Sequence, residues 1–381
     1  MITYTIMQVK YIRLAAVALL SAWIIPLVGN SQTRSGKVII GYVGGFRGLV
    51  NTSIIQPQKL THINYAFVDV KDNRAWLHYE KTDTVNFRNL NLLKQQNPEL
   101  KILISIGGWT WSGKFSDAVL TDTSRQRFVA SAVDIIKKYD LDGIDIDWEY
   151  PSLQGLTGNV FRPEDKQNFV LLFKELRRQT DSLAGITHKK YLLTTAAGGF
   201  KSFVDHNDMG ATHPYLDFVN LMTYDYSESG KIAAHHTALY SAKGDKTHNN
   251  ADEAVKLFEA AGVPAEKLVM GVAFYGHSSI LIPGSKGLGD SIAKGMRGGG
   301  YTRLKDSVLK LPGFAMHRDR HAKADYAFNS ETMQFITYDD EWSVRQKCRY
   351  VKRNKMAGAM FWEYASDAKG YLLDAINKVL R

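Results

Sequence analysis

The feature that most restricts the fold is a regular alternation of short apolar runs with amphipathic segments. Eight runs have the β-branched, apolar composition of buried strands, and they cover residues 37–43, 62–68, 101–106, 141–148, 191–197, 218–223, 268–274 and 357–362. Helical patterns follow at 85–96, 124–139, 163–182, 251–261, 341–353 and 367–380. Eight buried strands, each followed by a helix or a crossover, predict an α/β fold of the (β/α)8 or TIM barrel type.

The connection after the seventh strand is too long for a simple loop. More than sixty residues separate Phe274 from the helix near Glu341, and a structureless connection of that length is rare in a compact domain. The segment begins rich in glycine and ends in two β-like pieces, at 324–329 and 334–338. We therefore predict a small α+β insertion subdomain, residues 276–338, between strands seven and eight. It would lie on the barrel face where active sites form.

The first 32 residues have the pattern of a secretory signal peptide. Lys10 and Arg13 precede a nearly continuous apolar run at 14–28, and small and polar residues follow it. The run is shorter than the roughly 20 residues that cross a membrane, and it lacks the amphipathic pattern of an N-terminal core helix. We expect residues 1–32 to be removed and residues 33–381 to form a secreted protein, periplasmic or extracellular, without membrane contact.

The composition excludes several classes of protein. With 45% hydrophobic and 23% charged residues, the chain is neither disordered nor fibrous. A single cysteine, Cys348, excludes an internal disulfide and a zinc site built from cysteines. The net charge is +10, but no run of basic residues is dense enough for a nucleic-acid surface. We expect a monomer with no nucleic-acid partner, no metal ion and no cofactor.

The predicted fourth strand carries three acids at alternate positions, Asp145, Asp147 and Glu149. Alternate residues share one face of a strand, so we expect the acids to point into the barrel and the intervening Ile and Trp side chains to meet the helices. Three carboxyls on a buried face coexist only if one holds a proton or a cation joins them. The spacing does not fit a calcium loop. A Mg²⁺ or Mn²⁺ site stays open, and a proton-sharing stack for general acid catalysis is the favoured interpretation.

Four motifs in order resemble those of glycoside hydrolase family 18, the chitinase family. The resemblance covers residues 37–380. The motifs are D-x-x-D-x-D-x-E at Asp142, Asp145, Asp147 and Glu149; S-x-G-G at 105–109, with Gly107 and Gly108; M-x-Y-D at 222–225; and the eighth-strand tryptophan segment at 358–363, with Trp362. Asp142 lies on the opposite face of the strand from the other acids, so we expect it to support the start of the strand.

The resemblance implies hydrolysis of β-1,4 links between N-acetylglucosamine units of chitin or chitooligosaccharides, with retention. In that mechanism the 2-acetamido oxygen of the substrate attacks its own anomeric carbon. Glu149 would act as general acid and then as base. Asp147 would orient the acetamido group, and Asp145 would share a proton with Asp147. Burial and the adjacent acids would favour a protonated Glu149.

The remaining implied contacts are with the sugar. Tyr224 would donate to the acetamido oxygen, Asp225 would help to hold the distorted ring, and Met222 would pack beneath it. Aromatic rings offer platforms for the apolar faces of sugars, so Trp362 would form the floor and Trp109 would stack a sugar on the leaving-group side. The substrate-binding set is completed by Gly107, Gly108, Tyr42 and Phe67, although core packing is an equal alternative for Tyr42 and Phe67.

Two other functions stay open: an endo-β-N-acetylglucosaminidase acting on N-glycans, and a non-catalytic chitin-binding lectin, against which the presence of Glu149 argues. One departure from the family pattern is His277, where many relatives have Arg. The pair His235 and His236 suggests a metal site, but adjacent loop residues point in opposite directions and no acidic pattern surrounds them. We therefore do not predict a metal there.

Overall fold

A computed structural model describes residues 36–227, 230–243 and 249–381, so the predicted signal peptide, 1–32, lies outside the described residues. In this part of the chain the strands are β1 (Val38–Gly44), β2 (His62–Lys71), β3 (Arg74–Trp76), β4 (Lys101–Gly107), β5 (Gly143–Asp147), β6 (Leu192–Gly198), β7 (Phe218–Met222), β8 (Leu268–Ala273), β9 (Tyr275–Leu281), β10 (Ile292–Gly300), β11 (Phe314–Asp319), β12 (Ala324–Asn329), β13 (Gln334–Tyr338) and β14 (Gly358–Trp362).

The helices of the described residues fall into two groups, long ones that cover the barrel and short ones within connections. They are α1 (Glu80–Leu92), α2 (Gly108–Trp111), α3 (Phe115–Ala118), α4 (Asp122–Lys138), α5 (Asp165–Thr187), α6 (Lys201–His206), α7 (Met209–Thr212), α8 (Ala251–Ala260), α9 (Tyr301–Asp306), α10 (Glu341–Arg353) and α11 (Tyr371–Leu380). Among these, none is both long enough and apolar enough to cross a membrane.

Eight parallel strands close into a barrel in the order β1, β2, β4, β5, β6, β7, β8 and β14, and β14 pairs back to β1. The short β3 pairs antiparallel with β2, outside the barrel. The predicted (β/α)8 barrel is therefore confirmed, with every predicted strand present. The single connection between β6 and β7 contains only short helices, among them α6 and α7.

The insertion predicted between the seventh and eighth barrel strands is also confirmed. Five strands form a second sheet in the order β10, β9, β13, β12, β11, and all neighbours in it are antiparallel. All five lie between β8 and β14 in the chain, and α9 lies between β10 and β11. Because β8 leads directly into β9, the new sheet begins at the carboxyl ends of the barrel strands.

Strand alternation divides the core as the sequence predicts. Ile144, Ile146 and Trp148 are buried in the large cluster between the strands and the helices. A smaller cluster, inside the barrel, includes Tyr42 and Met360. The parallel register of β4 and β5 places Ser105 beside Asp145, so polar side chains of these two strands meet inside the barrel.

At the starts of two helices an acidic side chain bonds to the backbone, and the helix begins later than predicted. The helix predicted at 163–182 begins at Asp165, whose carboxylate accepts a hydrogen bond from the Arg162 amide at 2.7 Å, and it continues to Thr187. The helix predicted from residue 367 begins at Tyr371, because the Asp367 carboxylate accepts from the amides of residues 371–373 and caps the helix from outside.

Candidate active site

A cavity of about 750 Å³ lies at the carboxyl ends of the barrel strands, which is the face where TIM-barrel active sites form. Ten of the twelve residues predicted for the site line this cavity: Tyr42, Phe67, Gly107, Trp109, Asp147, Glu149, Met222, Tyr224, Asp225 and Trp362. The other two, Asp145 and Gly108, lie behind the lining.

Asp145 is fully buried beneath the cavity and accepts four hydrogen bonds. Its Oδ2 accepts from the Ser105 hydroxyl at 2.7 Å and from the Tyr42 hydroxyl at 3.0 Å. Its Oδ1 accepts from Thr194 at 2.5 Å and from Asn220 at 3.2 Å. Burial raises the pKa of Asp145, and the bonds from Thr194, Ser105 and Tyr42 oppose that rise. The four donors fix this carboxyl in one orientation.

Asp147 stands above Asp145 and is held differently. Burial, followed by the negative charges of Glu149 and Asp145, raises its pKa well above the ordinary range. Its Oδ1 is buried and has no hydrogen-bond partner among the described residues. Within those residues no hydrogen bond joins Asp145 to Asp147, so the proton sharing between them stays a prediction. The raised pKa favours the protonated form of Asp147, and its Oδ1 is left without a partner beside the cavity.

Glu149 follows the end of β5 and lines the cavity. Its backbone amide donates to the Ser112 hydroxyl at 2.9 Å, and that hydroxyl also donates to the Gly108 carbonyl at 2.8 Å. These bonds tie the chain at Glu149 to the short helix that follows β4. Asp142, at the other end of the strand, accepts from the Ile102 amide at 2.7 Å and pairs with two lysines, so it supports the start of the strand as expected.

The two glycines of the S-x-G-G motif are required by close approaches. A Cβ on Gly107, at φ +108°, would lie 2.3 Å from the Asp147 carbonyl oxygen. A Cβ on Gly108, at φ +77°, would lie 2.6 Å from the ring of Phe67. Only glycine adopts these backbone angles without strain and without a clash. The motif therefore brings β4 against β5 at the level of Asp147 and leaves space for Phe67.

Tyr224, directly after β7, lines the cavity and keeps its proton. Burial, then the charges of Asp147 and Asp225, raises its pKa well above the ordinary value. Its hydroxyl lies 3.8 Å from Met360 Sδ, a weak acceptor, so its proton is available to a stronger acceptor in the cavity. Met222 also lines the cavity, packed against the inner cluster.

Asp225 is surrounded by donors that come largely from the second sheet. Its Oδ1 accepts from the Tyr275 hydroxyl at 2.6 Å and lies 2.7 Å from His277 Nε2. His236 Nδ1 is 3.7 Å away, beyond hydrogen-bond range. Burial would raise the pKa of Asp225, but the nearby imidazoles of His236 and His277 lower it well below its usual range. Asp225 is therefore a fixed anion at the edge of the cavity.

No acidic pattern surrounds His235 and His236 in the sequence, but the fold brings an acidic residue to each of them. The two side chains do point to different partners: His235 Nε2 lies 3.4 Å from Asp319, and His236 lies beside Asp225. The acids come from β11 and from the end of β7, far away in the sequence, so no local spacing indicated them. Burial lowers the pKa of His236 to about 4.

Aromatic rings form one wall of the cavity. The Trp362 indole lies near-parallel to Phe67 at 5.3 Å between ring centroids and to Phe46 at 6.1 Å, with Tyr42 tilted against it at 5.9 Å. Tyr42 and Phe67 thus both line the cavity and pack against Trp362. Trp109 is 45% exposed at the mouth, with its ring edge toward Tyr150 at 6.4 Å.

Several lining residues were not predicted. They are Phe46, Tyr79, Thr110, Trp111, Tyr150, Ala196, Gly198, Phe200, Tyr226, Asn249 and Tyr275. Most are aromatic and follow the end of a strand, as Trp111 and Tyr150 do, and this combination was the available signal. Phe46 and Tyr79 lie in connections whose path the strand pattern does not determine.

A buried ion pair supports the loop behind Tyr224. Lys347 on α10 donates to Asp339 Oδ2 and to Thr237 Oγ1, both at 2.6 Å. The Thr237 hydroxyl donates in turn to the carbonyl of Thr223 at 3.1 Å. Lys347 and Asp339 are both completely buried. Burial lowers the pKa of Lys347 in spite of Asp339 beside it.

Comparison with known proteins identifies the family of this chain. Residues 38–367 match the family described as glycosyl hydrolases family 18. Chitinase A1 of Niallia circulans is 35% identical, over 89% of this chain and 58% of its own length. Chitotriosidase-1 of Mus musculus is 34% identical, over 81% of this chain and 67% of its own. This chain therefore spans little more than half of the first relative.

Among solved structures, a glycoside hydrolase family 18 N-acetylglucosaminidase from Paenibacillus barengoltzii superimposes with a TM-score of 0.84 at 39% identity. It covers 90% of this chain and 100% of its own.

Proposed function

Because this chain belongs to glycosyl hydrolase family 18, we propose that it is a chitinase that cleaves β-1,4 links between N-acetylglucosamine units. The observation that carries the proposal is the pair Asp147 and Glu149 in the lining of a cavity that has an aromatic wall. The buried, unpartnered Oδ1 of Asp147 supports it as well, since an acetamido N–H is a donor that this oxygen can accept from.

In the first step Glu149 acts as general acid. Its proton passes to the glycosidic oxygen, the bond from that oxygen to the anomeric carbon breaks, and the shortened chain leaves as an alcohol. The acetamido oxygen of the same sugar forms a bond to the anomeric carbon from the opposite face. The product of this step is a cyclic oxazolinium ion, and Glu149 is left as a carboxylate.

In the second step Glu149 acts as general base. It takes a proton from water, and the water oxygen bonds to the anomeric carbon while the acetamido oxygen leaves. Two inversions give net retention, and Glu149 regains its proton. No second carboxylate is needed as nucleophile, so the roles of Asp147 and Asp145 are electrostatic.

Asp147 orients the acetamido N–H and stabilises the positive charge of the oxazolinium ion. Burial and then the charges of the neighbouring carboxyls raise the pKa of Asp147, and a positive charge formed beside it favours its ionised form. Asp145, fixed by four donors, would share in this change of charge from below. Tyr224 donates to the acetamido oxygen, and Asp225 accepts from a ring hydroxyl. Such donors fixed in advance are worth about 10²–10³-fold in rate.

Trp362, beside Phe67, is proposed to form the floor for the sugar whose bond breaks. Trp109 at the mouth is proposed to stack a sugar on the leaving-group side. The exposed ring of Trp109 offers an apolar face to the apolar face of a pyranose.

The test uses an N-acetylglucosamine hexamer and the glucosamine hexamer that lacks the acetyl groups. We expect the wild-type protein to cleave only the first. Glu149→Gln should lose about 10²–10⁴-fold in kcat and still bind the hexamer. Glu164→Gln, at an exposed carboxyl beside α5, is the matched control and should cleave normally. Equal cleavage of both hexamers, or an active Glu149→Gln protein, would overturn the mechanism.

The products of the same reaction separate the alternatives. The similarity to a Paenibacillus barengoltzii N-acetylglucosaminidase favours release of single sugars as a second candidate, whereas a chitinase releases dimers and longer pieces. Cleavage of N-glycans without cleavage of the hexamer would identify an endo-β-N-acetylglucosaminidase. Binding without turnover would identify a lectin.

We also propose that residues 1–32 direct export and that residues 33–381 act as a monomer, with 276–338 as the insertion subdomain. The mass of the protein recovered outside the cytoplasm gives the cleavage position. Light scattering of that protein gives its mass in solution. An intact N-terminus or a dimer would contradict the respective proposal.

A further inference from the structure

Three metal-ligating side chains from distant segments meet at the edge of the cavity. Asp225 follows β7, His236 lies in the connection to α8, and His277 is on β9 of the second sheet. One ligand atom of each lies within 4.8 Å of the other two. The two imidazole rings are 4.5 Å apart between centroids. We call these three residues the Asp225 cluster.

His236 supplies an independent observation. Its side chain is fully buried, yet neither ring nitrogen has a hydrogen-bond partner among the described residues. A buried polar group without a partner costs about 1–3 kcal/mol, so such a group in a folded protein calls for an explanation. The neighbouring His235, by contrast, has Asp319 at 3.4 Å. Nδ1 of His236 faces the cluster, 3.7 Å from Asp225 Oδ1.

From this geometry we propose that the Asp225 cluster binds a divalent transition-metal ion of the Zn²⁺ class. Two imidazoles and one carboxylate form a donor set that zinc accepts, at about 2.0–2.2 Å from the ion. Imidazole nitrogen selects for zinc, copper and nickel over magnesium and calcium. Three protein ligands leave a coordination position open to water.

The ion would take up the Asp225 carboxylate. Asp225 lines the cavity and already binds Tyr275. An ion on the same carboxylate would withdraw that oxygen from any ligand in the cavity and add a positive charge there. Metal binding and occupation of the cavity would then oppose one another, and the coupling would act equally in both directions.

The test measures metal binding directly and needs no substrate, so its outcome is independent of the proposed chitinase activity. Calorimetry with ZnCl2 and tag-free protein should show one ion per chain for the wild type, and MgCl2 should give no such binding. His277→Gln, at a partly exposed position, should weaken Zn²⁺ binding by more than about tenfold, because even the outer partners of metal ligands are worth that much. Asp225→Asn should do the same.

His321→Gln is the matched control, since His321 is exposed and outside the cluster; it should bind Zn²⁺ like the wild type. Near-UV circular dichroism checks that each variant is folded. Absence of Zn²⁺ binding by the wild type would reduce the cluster to a hydrogen bond between His277 and Asp225. Equal affinity of folded His277→Gln and wild type would place any bound ion elsewhere. Either result overturns the proposal.

Discussion

Removal of the buried amine of Lys347 should destabilise the protein strongly. Lys347 and Asp339 are both completely buried, and Nζ and Oδ2 are 2.6 Å apart. Lys347→Met keeps most of the side-chain length but leaves the Asp339 carboxylate without its cation. Breaking a buried pair by removing one partner costs about 3–5 kcal/mol. Because domains are stable by about 5–15 kcal/mol, this loss is a large part of the total.

The pair itself is not expected to be worth that amount. Burial lowers the pKa of Lys347 although Asp339 is in contact with it, so desolvation exceeds the attraction within the pair. The double variant Lys347→Met with Asp339→Asn has no unpaired charge. In the wild-type protein the Ser343 hydroxyl donates to Asp339 at 2.7 Å, and the side-chain amide of Asn at position 339 can still accept this bond. We expect the double variant to recover more than half of the stability that Lys347→Met loses.

Urea unfolding at pH 7, followed by tryptophan fluorescence and by far-UV circular dichroism, gives the free energies if the two signals coincide. Lys352→Met, at an exposed lysine of the same helix, should stay within about 0.5 kcal/mol of the wild type. A loss of less than about 1 kcal/mol in Lys347→Met would refute this expectation. So would a double variant whose loss equals the sum of the losses in Lys347→Met and in Asp339→Asn alone.

Three further outcomes are expected. Burial lowers the pKa of His62 to about 4. The contribution of this residue to the free energy of unfolding should therefore be fully present above pH 6.5 and fall by about 3 kcal/mol between pH 6.5 and 4. In urea unfolding, His62→Gln should not show this part of the decrease in stability. Gly107→Ala should lower both the unfolding midpoint and the activity, because its Cβ would lie 2.3 Å from the Asp147 carbonyl oxygen. The control Gly185→Ala, where a Cβ would meet open space on α5, should stabilise the protein by about 0.5–1 kcal/mol. Trp109→Ala should raise KM for long oligomers by about two- to tenfold, with an unchanged melting temperature.

Each of these outcomes has a clear opposite. An identical pH profile for His62→Gln and wild type would mean that the pKa of this imidazole does not change on folding. A fully active Gly107→Ala would mean that β4 and β5 separate without consequence. A loss confined to kcat in Trp109→Ala would place its ring at the reacting bond rather than on a sugar platform.

The barrel was predictable because its pattern is local. Strand alternation determines that Ile144 faces the helices and that Asp145 faces the interior, and no distant contact can reverse this without exposing the apolar face. The same alternation put Asp147 and Glu149 at one cavity. Here both the fold and the central acids follow from a few consecutive residues.

The edge of the site was not predictable in this way. The second sheet begins where β8 ends, and this brings together His236, His277 and Asp225. The sequence pattern does not predict how close two separate connections lie to each other. The start of the last helix was also predicted too early, because the Asp367 side chain caps the helix from outside by accepting from the amides of residues 371–373. Cis peptide bonds at Glu149–Tyr150 and Trp362–Glu363 carry no sequence signal either, because they involve no proline.

The indole of Trp362 packs beside three other rings, those of Tyr42, Phe46 and Phe67, which restrict its orientation. A side chain immobilised on association loses about 0.5–1.5 kcal/mol of rotamer entropy, and here that loss has already occurred during folding. A flat molecule that binds to this surface therefore does not have to offset the ordering of the Trp362 side chain. Even a weakly bound molecule can stack on the indole without a conformational change of the aromatic wall.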